Sequence, residues 1–419
     1  MTLLAVDVEP ACPDEHVEAA VETAAASARL PREPAARRAH SEPPATGLIV
    51  LPRRLAAIDA ATWDRLAAAN PWATPFSSWA FQRAWWEAYG DNAHDETLVI
   101  LDPADGPGAD PVAIVPLMHR HEIEPYDAER HTTLRHAGGV DLTPVPPTAT
   151  AIFFGASYHA DYATILAAPD RLPAVAAALV ADLRRRAAGP DPDWDVVDLR
   201  RLRCGDPAAD ALAAAFQDVE MAAGWTLNVD REDVCPVATL PTGASIDGYL
   251  DTLGKKERHE IRRKVRRAEA AGEVDLVESR DPLADLDAFI DLHQARWGDD
   301  GLFPPTKGGD QSRLLFRRMF EEFGPDGPLR LSFLTVAGRR IAAAVHFEAG
   351  DRLMYYNAGT DPAARDLSPG VVMVERLARR AIERGLHQLD FLRGDEPYKY
   401  EWGATDEPIQ RILIRREVA

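Results

Sequence analysis

Residues 329 to 393 constrain the fold more than any other part of the chain. LRLSFLTVAG, RRIAAAVHFEAG and DRLMYYNAGTD are three successive strand-length runs, with Gly where the chain must turn. SPGVVMVERLARRAIERG follows, a helix with Ser at the N-cap, Pro at its first position and Gly past its end. LHQLDFLRGD is the next strand, and IQRILIRR the last. A chain with this order of elements is α/β, with helices flanking its sheet.

The same grammar appears earlier. TWDRLAAAN and FSSWAFQRAWWEAYG read as helices, and ETLVILD and DPVAIVPLM as strands joined through the turn-forming PADGPGA. RLPAVAAALVADLRRRAAG is a helix that leads into the strand WDVVDLR, and PAADALAAAFQDVEMAAG is another helix. Each half places an apolar, Asp-containing strand after a long helix: VVDLR at 196–200 and QLDFLR at 388–393. The working architecture is therefore two similar α/β lobes, residues 47–235 and 236–419. Residues 1–46 hold no Phe, Tyr or Trp and are rich in Ala, Pro and Glu. Such a stretch cannot bury enough apolar surface to offset its ordering entropy, and we expect a disordered tail.

Net charge sets limits on partners. At -20, with a pI near 5.0, the chain as a whole repels phosphate backbones, which argues against DNA and disfavours tRNA. Three cysteines with no CxxC pair and no Cys/His ligand spacing argue against a structural zinc site and a disulfide framework. No metal is expected. The N-terminus lacks a basic region followed by an apolar core, and no stretch nears the ~20 apolar residues of a membrane span. These features point to a cytoplasmic location.

One segment inverts the overall charge. KKERHEIRRKVRR, residues 255–267, carries eight Lys/Arg against two Glu. Its apolar stripe is thin: Ile261, Val265 and Ala268. Like charges four apart, as in Arg258–Arg262 and Arg262–Arg266, destabilise an isolated helix unless an anion lies close. That anion is either a ligand, with Arg262 and Arg266 as its binding residues, or an acidic surface of the same chain.

FLRGDEPYKYEWG, residues 391–403, concentrates charge and large rings at a strand end. Gly394 allows a sharp turn there, and ligands in α/β sheets gather beyond the C-terminal strand ends. Taken with KKERHEIRRKVRRAEAAG, YYNAGTDPAARDLSPGVVMVERLARRAIERG and the earlier FSSWAFQRAWWEAYG, this tail resembles one group. It is the GNAT-superfamily acyltransferases related to a cellulose-biosynthesis protein and to the Fem peptidyltransferases. The resemblance covers roughly residues 48–416, and RGD-x-x-YK-x-x-WG is its most specific part.

The resemblance implies two tandem GNAT-like lobes with mixed, mostly antiparallel sheets, the central sheet splayed, and an acyl donor bound at the second lobe. It implies acyl-CoA as co-substrate, an amine as acceptor and a role in polysaccharide biosynthesis. Lys399 would hold donor phosphate or polarise the carbonyl, beside Asp395 and Tyr398. Arg393 and Trp402 would contact substrate. The Gly-rich pyrophosphate loop of GNAT proteins is replaced here by ARDLSPG. Backbone N–H groups around Ser368, Gly370 and Val371 at a helix N-terminus would serve instead. No Ser or Cys sits in a nucleophile elbow, so direct attack is expected rather than an acyl-enzyme. Glu396 and His293 are further candidates for the base. A Fem-like use of aminoacyl-tRNA and a non-catalytic accessory role are the competing readings.

Overall fold

The computed structural model describes residues 47–121, 145–146, 148–188 and 192–416. The tail expected to be disordered lies outside them. A small antiparallel sheet is built from Ile49–Pro52, Leu98–Leu101, Ala113–Val115 and Leu166–Ala167. The strands joined through PADGPGA pair within it, as their turn chemistry suggests.

The second sheet has eleven strands among the described residues. From one edge they are Val274–Glu278, Leu329–Val336, Arg339–Ala349, Arg352–Thr360, Gln388–Asp390, Trp225–Thr239, Thr405–Arg416, Val196–Arg203, Thr150–Phe154, Leu117–His121 and His94–Asp95. Its centre is a long antiparallel pair, with Thr405 opposite Val237 and Arg416 opposite Trp225. Outward from this pair both sides repeat one pattern: an antiparallel strand, a strand parallel to that one, then antiparallel strands to the edge. VVDLR and QLDFLR occupy matching places in it. Their acids, Asp198 and Asp390, are both fully buried. The fold is thus two α/β lobes fused through one continuous mixed sheet.

Helices cover both faces. Those at Leu172–Ala187 and Pro207–Ala223 pack on the first lobe. Ile246–Thr252, Lys255–Ala271 and Pro369–Glu383 share a core on one face of the second lobe. Pro282–Trp297 and Lys307–Phe323 lie on its other face, where Trp79–Tyr89 of the first lobe joins them. Phe76 and Phe347 meet edge-on across the two lobes, 5.4 Å apart, and Tyr89 Oη lies 3.0 Å from Ser312 Oγ.

The strand Trp225–Thr239 is not apparent from sequence, because NVDRED breaks its apolar run. Two of those charges, Glu232 and Asp233, are buried within the fold. Glu232 is buried, accepts the Arg201 backbone N–H at 2.8 Å and is ion-paired with the buried Arg201 guanidinium. The expected lobe boundary at 235/236 falls inside this strand, which pairs with Thr405–Arg416 and, at its end, with Gln388–Asp390.

Candidate functional site

The two parallel strands of the second lobe separate almost as soon as they pair. Arg352, Leu353 and Met354 lie opposite Gln388, Leu389 and Asp390, and the ladder stops there. Past Asp390 the chain leans to the other neighbour: Phe391 N–H donates to Pro236 O at 3.0 Å and Gly394 N–H to Val234 O at 2.9 Å. Residues Tyr355–Thr360 stay paired with Arg339–Ala349, around a bulge at Val345/His346. An opening remains between Tyr355–Thr360 and Phe391–Gly394. Its base is pinned by Asp390, which accepts from Tyr162 Oη (2.9 Å), Leu392 N–H (2.8 Å) and Arg352 (3.2 Å). Arg352 also forks onto Glu407 through two bonds of 3.0 Å.

The motif beyond the strand shapes the edge of this opening. Gly394 takes φ +110° and Leu392 the left-handed φ +56°. Lys399 Nζ donates to the carbonyls of Leu392, Arg393 and Gly394 at 3.0, 2.9 and 2.9 Å, and pairs with Glu396 at 2.9 Å. An ammonium has three donors, and three carbonyls take them. Lys399, expected to face the donor, is 2% exposed and organises the loop from inside. Trp402 corrects the same way. Expected to wall the site, it is 1% exposed, packs in the core with Leu253 and Phe391, and its carbonyl accepts from Tyr249 Oη. Gly403, at φ +70°, closes the motif.

Tyr398 does reach the surface, 40% exposed, with its ring edge-on to Phe391 at 6.0 Å. Desolvation, then Tyr355 and Glu396, raise its phenol well above the ordinary value, so it is protonated at neutral pH. Trp297, also exposed, donates from Nε1 to Ala358 O at 3.3 Å on the facing strand. Asp395 is exposed, and Glu396 is committed to Lys399. His293 is buried among rings, 5.0 Å from Phe303 and 5.9 Å from Phe289. That is the place of a core histidine. The helix carrying it presses on the sheet at Gly359, where an added Cβ would stand 2.2 Å from His293 N.

On the face with the Pro369–Glu383 helix, Ser368 enters the helix in a left-handed conformation (φ 52°, ψ 54°). Arg267 of the basic helix donates to Ser368 Oγ at 2.7 Å. Gly370 opens onto empty space, whereas Val371 N–H turns back to Ser368 O at 3.0 Å. A helix N-terminus and a guanidinium therefore converge at one point, an arrangement suited to phosphate.

The rest of the basic helix divides. Arg262 bonds Asp247 and Asp251 at 3.1 Å each, and Arg258 pairs with Asp251 at 3.5 Å. Acids of the same chain, not a ligand, are Arg262's partners. Arg266 is exposed and has no ion pair among the described residues. The buried Ile261, Val265 and Ala268 hold the helix in place. Burying an Ile or Val contributes about 1.5–3 kcal/mol, against about 0–1 for an exposed ion pair.

On the opposite face the first lobe supplies residues that the sequence reading passed over. Asp161 Oδ1 lies 3.3 Å from Arg393 Nε. His159 Nε2 is 2.8 Å from Tyr89 Oη, and Tyr356 Oη donates to His159 O at 3.0 Å. Burial, and then the Arg393 charge, pull the His159 pKa down to about 3. It is neutral at physiological pH and a poor proton acceptor. A signal existed: AIFFGASYHADY ends a strand in Gly and then gathers rings and charges, the layout of FLRGDEPYKYEW.

Residues 255–400 match the family model described as an acetyltransferase (GNAT) domain, from the basic helix to the turn of helix that carries Lys399. The chain is similar in fold to the solved structure of FemX, with a TM-score of 0.53 and 12% identity over 84% of this chain and 96% of that one. It is similar also to a conserved protein of unknown function from Bacteroides thetaiotaomicron VPI-5482, with a TM-score of 0.50 and 12% identity over 86% and 98%. No curated protein matches the sequence. Among the described residues no group of His, Cys, Asp or Glu could hold a metal ion, and no helix is long and apolar enough to cross a membrane. Residues 255–400 are thus similar to a GNAT domain, and the fold around them is two-lobed.

Proposed function

We propose that this chain is an N-acyltransferase that passes an acyl group from acyl-CoA to an amine by direct attack. The observation that carries this reading is the one-sided departure of Phe391–Gly394 from Arg352–Thr360, which opens the sheet between two chemically different faces. On one face Arg267, Ser368 and the N–H of Gly370 form the phosphate end of a donor site. Phe391 and Tyr398 line its rim, where a thioester could enter the opening. The acceptor comes from the face that the first lobe covers. The amine lone pair attacks the thioester carbon, the C–N bond forms and the C–S bond breaks. Sulfur leaves as the thiol with one of the amine protons, and the other stays on the amide nitrogen.

Lys399 serves this reaction indirectly by fixing three carbonyls at the edge of the opening, and Asp395 is an exposed carboxylate of the motif. The GNAT domain match favours acyl-CoA as donor. Exposed Lys255, Lys256 and Arg266 keep aminoacyl-tRNA as the second donor to test. Melting-temperature shifts with acetyl-CoA, a long-chain acyl-CoA and charged tRNA separate the two, because a ligand at a hundred times its Kd stabilises by about 2.7 kcal/mol. A shift with coenzyme A thioesters is expected. A shift with charged tRNA alone overturns the donor assignment, and no acyl transfer from any bound donor overturns the enzyme reading in favour of an accessory role in polysaccharide synthesis.

A further inference from the structure

Arg393 and Asp161 form a buried ion pair unlike that of Arg411 and Asp198. Arg411 meets Asp198 through two short bonds, Nε to Oδ1 at 2.7 Å and Nη2 to Oδ2 at 2.6 Å, with both side chains at most 2% exposed. That forked geometry is what a structural pin requires. Arg393 approaches Asp161 only at 3.3 Å through Nε, and this Nε makes no hydrogen bond among the described residues. The two side chains are 7% and 14% exposed, so they are largely desolvated without being sealed. Buried charges in globular proteins are normally saturated with hydrogen bonds, and a pair left short of them has capacity for a ligand.

Position gives that capacity a use. Arg393 directly follows Leu392 on the departing strand, and Lys399 holds its carbonyl at 2.9 Å, so the backbone that aims the guanidinium is fixed. Asp161 comes from the other lobe, and the neutral His159 nearby adds no competing charge. A cation and an anion therefore stand side by side at the acceptor face of the opening.

We infer that Arg393 and Asp161 are the acceptor subsite, and that the acceptor is an amine that also carries a carboxylate, an amino acid or short peptide. Arg393 binds the carboxylate and Asp161 receives the ammonium, which gives one proton to solvent and then attacks as the neutral amine. This assignment rests on the acyl-transfer reading for its role, but binding can be read without any donor.

The experiment compares the twenty L-amino acids with their carboxamides on the full chain, first by melting-temperature shift without donor, then by transfer from acetyl-CoA. At least one acid should raise the melting temperature and be acylated with kcat/KM ten or more times that of its amide. Arg393→Gln should abolish that preference, Arg393→Lys should retain part of it, and Asp161→Asn should weaken binding of acid and amide alike. Calorimetric binding of coenzyme A should be unchanged in Arg393→Gln. Equal treatment of acids and amides by the wild type overturns the subsite. So does a variant that melts earlier yet keeps the preference, since the pair would then only pin the lobes together. If coenzyme A fails to bind while the acid-selective shift persists, the donor reading falls and the subsite stands.

Discussion

The ammonium of Lys399 lies 3.0 Å from the carbonyl oxygen of Leu392, a buried residue held at φ +56°. A left-handed conformation costs a branched L-residue roughly 1–2 kcal/mol, so something must over-determine it. Here Asp390 takes the Leu392 N–H at 2.8 Å and Lys399 gathers that carbonyl with the next two. The strand end beside the opening is held by a buried cation in addition to its backbone bonds to Pro236 and Val234.

Lys399→Met should consequently destabilise the protein. The methionine keeps the apolar stem, but three inward-facing carbonyls lose their donor. Charge-assisted hydrogen bonds contribute about 1.5–3 kcal/mol each and are not additive, so a loss of about 3 kcal/mol or more is expected. Urea unfolding measures it. A variant within about 0.5 kcal/mol of wild type would mean that the turn holds itself, which leaves Lys399 available to a donor.

Arg267→Glu and Arg262→Gln should part company. Arg267 reaches Ser368 at the helix N-terminus, and reversing it should weaken coenzyme A binding at least tenfold at low salt, with the gap narrowing as salt rises. Arg262 is spent on Asp247 and Asp251 at an exposed surface, so its loss should leave donor affinity intact and cost less than about 1 kcal/mol. Calorimetry at two salt concentrations decides. Equal losses from both variants would return the whole basic helix to the ligand.

The sequence revealed the elements better than their connections. Gly and Pro punctuation marked the three strands from Leu329 to Thr360 and the helix after Ser368, because local turn chemistry is written locally. The strand Trp225–Thr239 was hidden, since its charged middle is stabilised by Arg201 from a distant strand. In the motif RGD-x-x-YK-x-x-WG, Gly394 and Gly403 were legible as turn residues. The partners of Lys399 were not, because which way an ammonium points depends on three carbonyls that only the folded turn brings together. Asp161 escaped for a related reason: it meets Arg393 across 232 positions of chain, a distance at which no periodicity speaks.

Gly359→Ala should show how closely the helix Pro282–Trp297 is seated. The added Cβ would stand 2.2 Å from His293 N and 2.4 Å from Leu292 C, both backbone atoms that cannot rotate away. The helix must lift, carrying Trp297 from Ala358, at a cost of about 1–3 kcal/mol in line with overpacked cores. Thermal unfolding and the fluorescence of Trp297 should both change. An unaltered melting temperature would show that the contact relaxes freely.

Acid should destabilise this protein through its buried histidines. His159 is held neutral with a pKa near 3, and burial, with Arg380, Arg330 and Arg384 nearby, keeps that of the fully buried His346 well below 6.5. In the unfolded chain both bind a proton near pH 6.5, so the unfolded state binds more protons below that value. The stabilisation is complete above pH 6.5 and falls as pH drops toward the folded pKa, by up to about 1.4 kcal/mol per pH unit for each histidine. Asp390, whose carboxyl is raised by burial, acts in the opposite sense, so a difference between variants is the quantity to read. At pH 5 the wild type should take up about one proton more on unfolding than His159→Gln does, as measured by calorimetry in buffers of different ionisation enthalpy. Equal uptake by the two proteins would mean that His159 is already charged in the fold, and that the Tyr89 and Tyr356 hydroxyls surround an imidazolium.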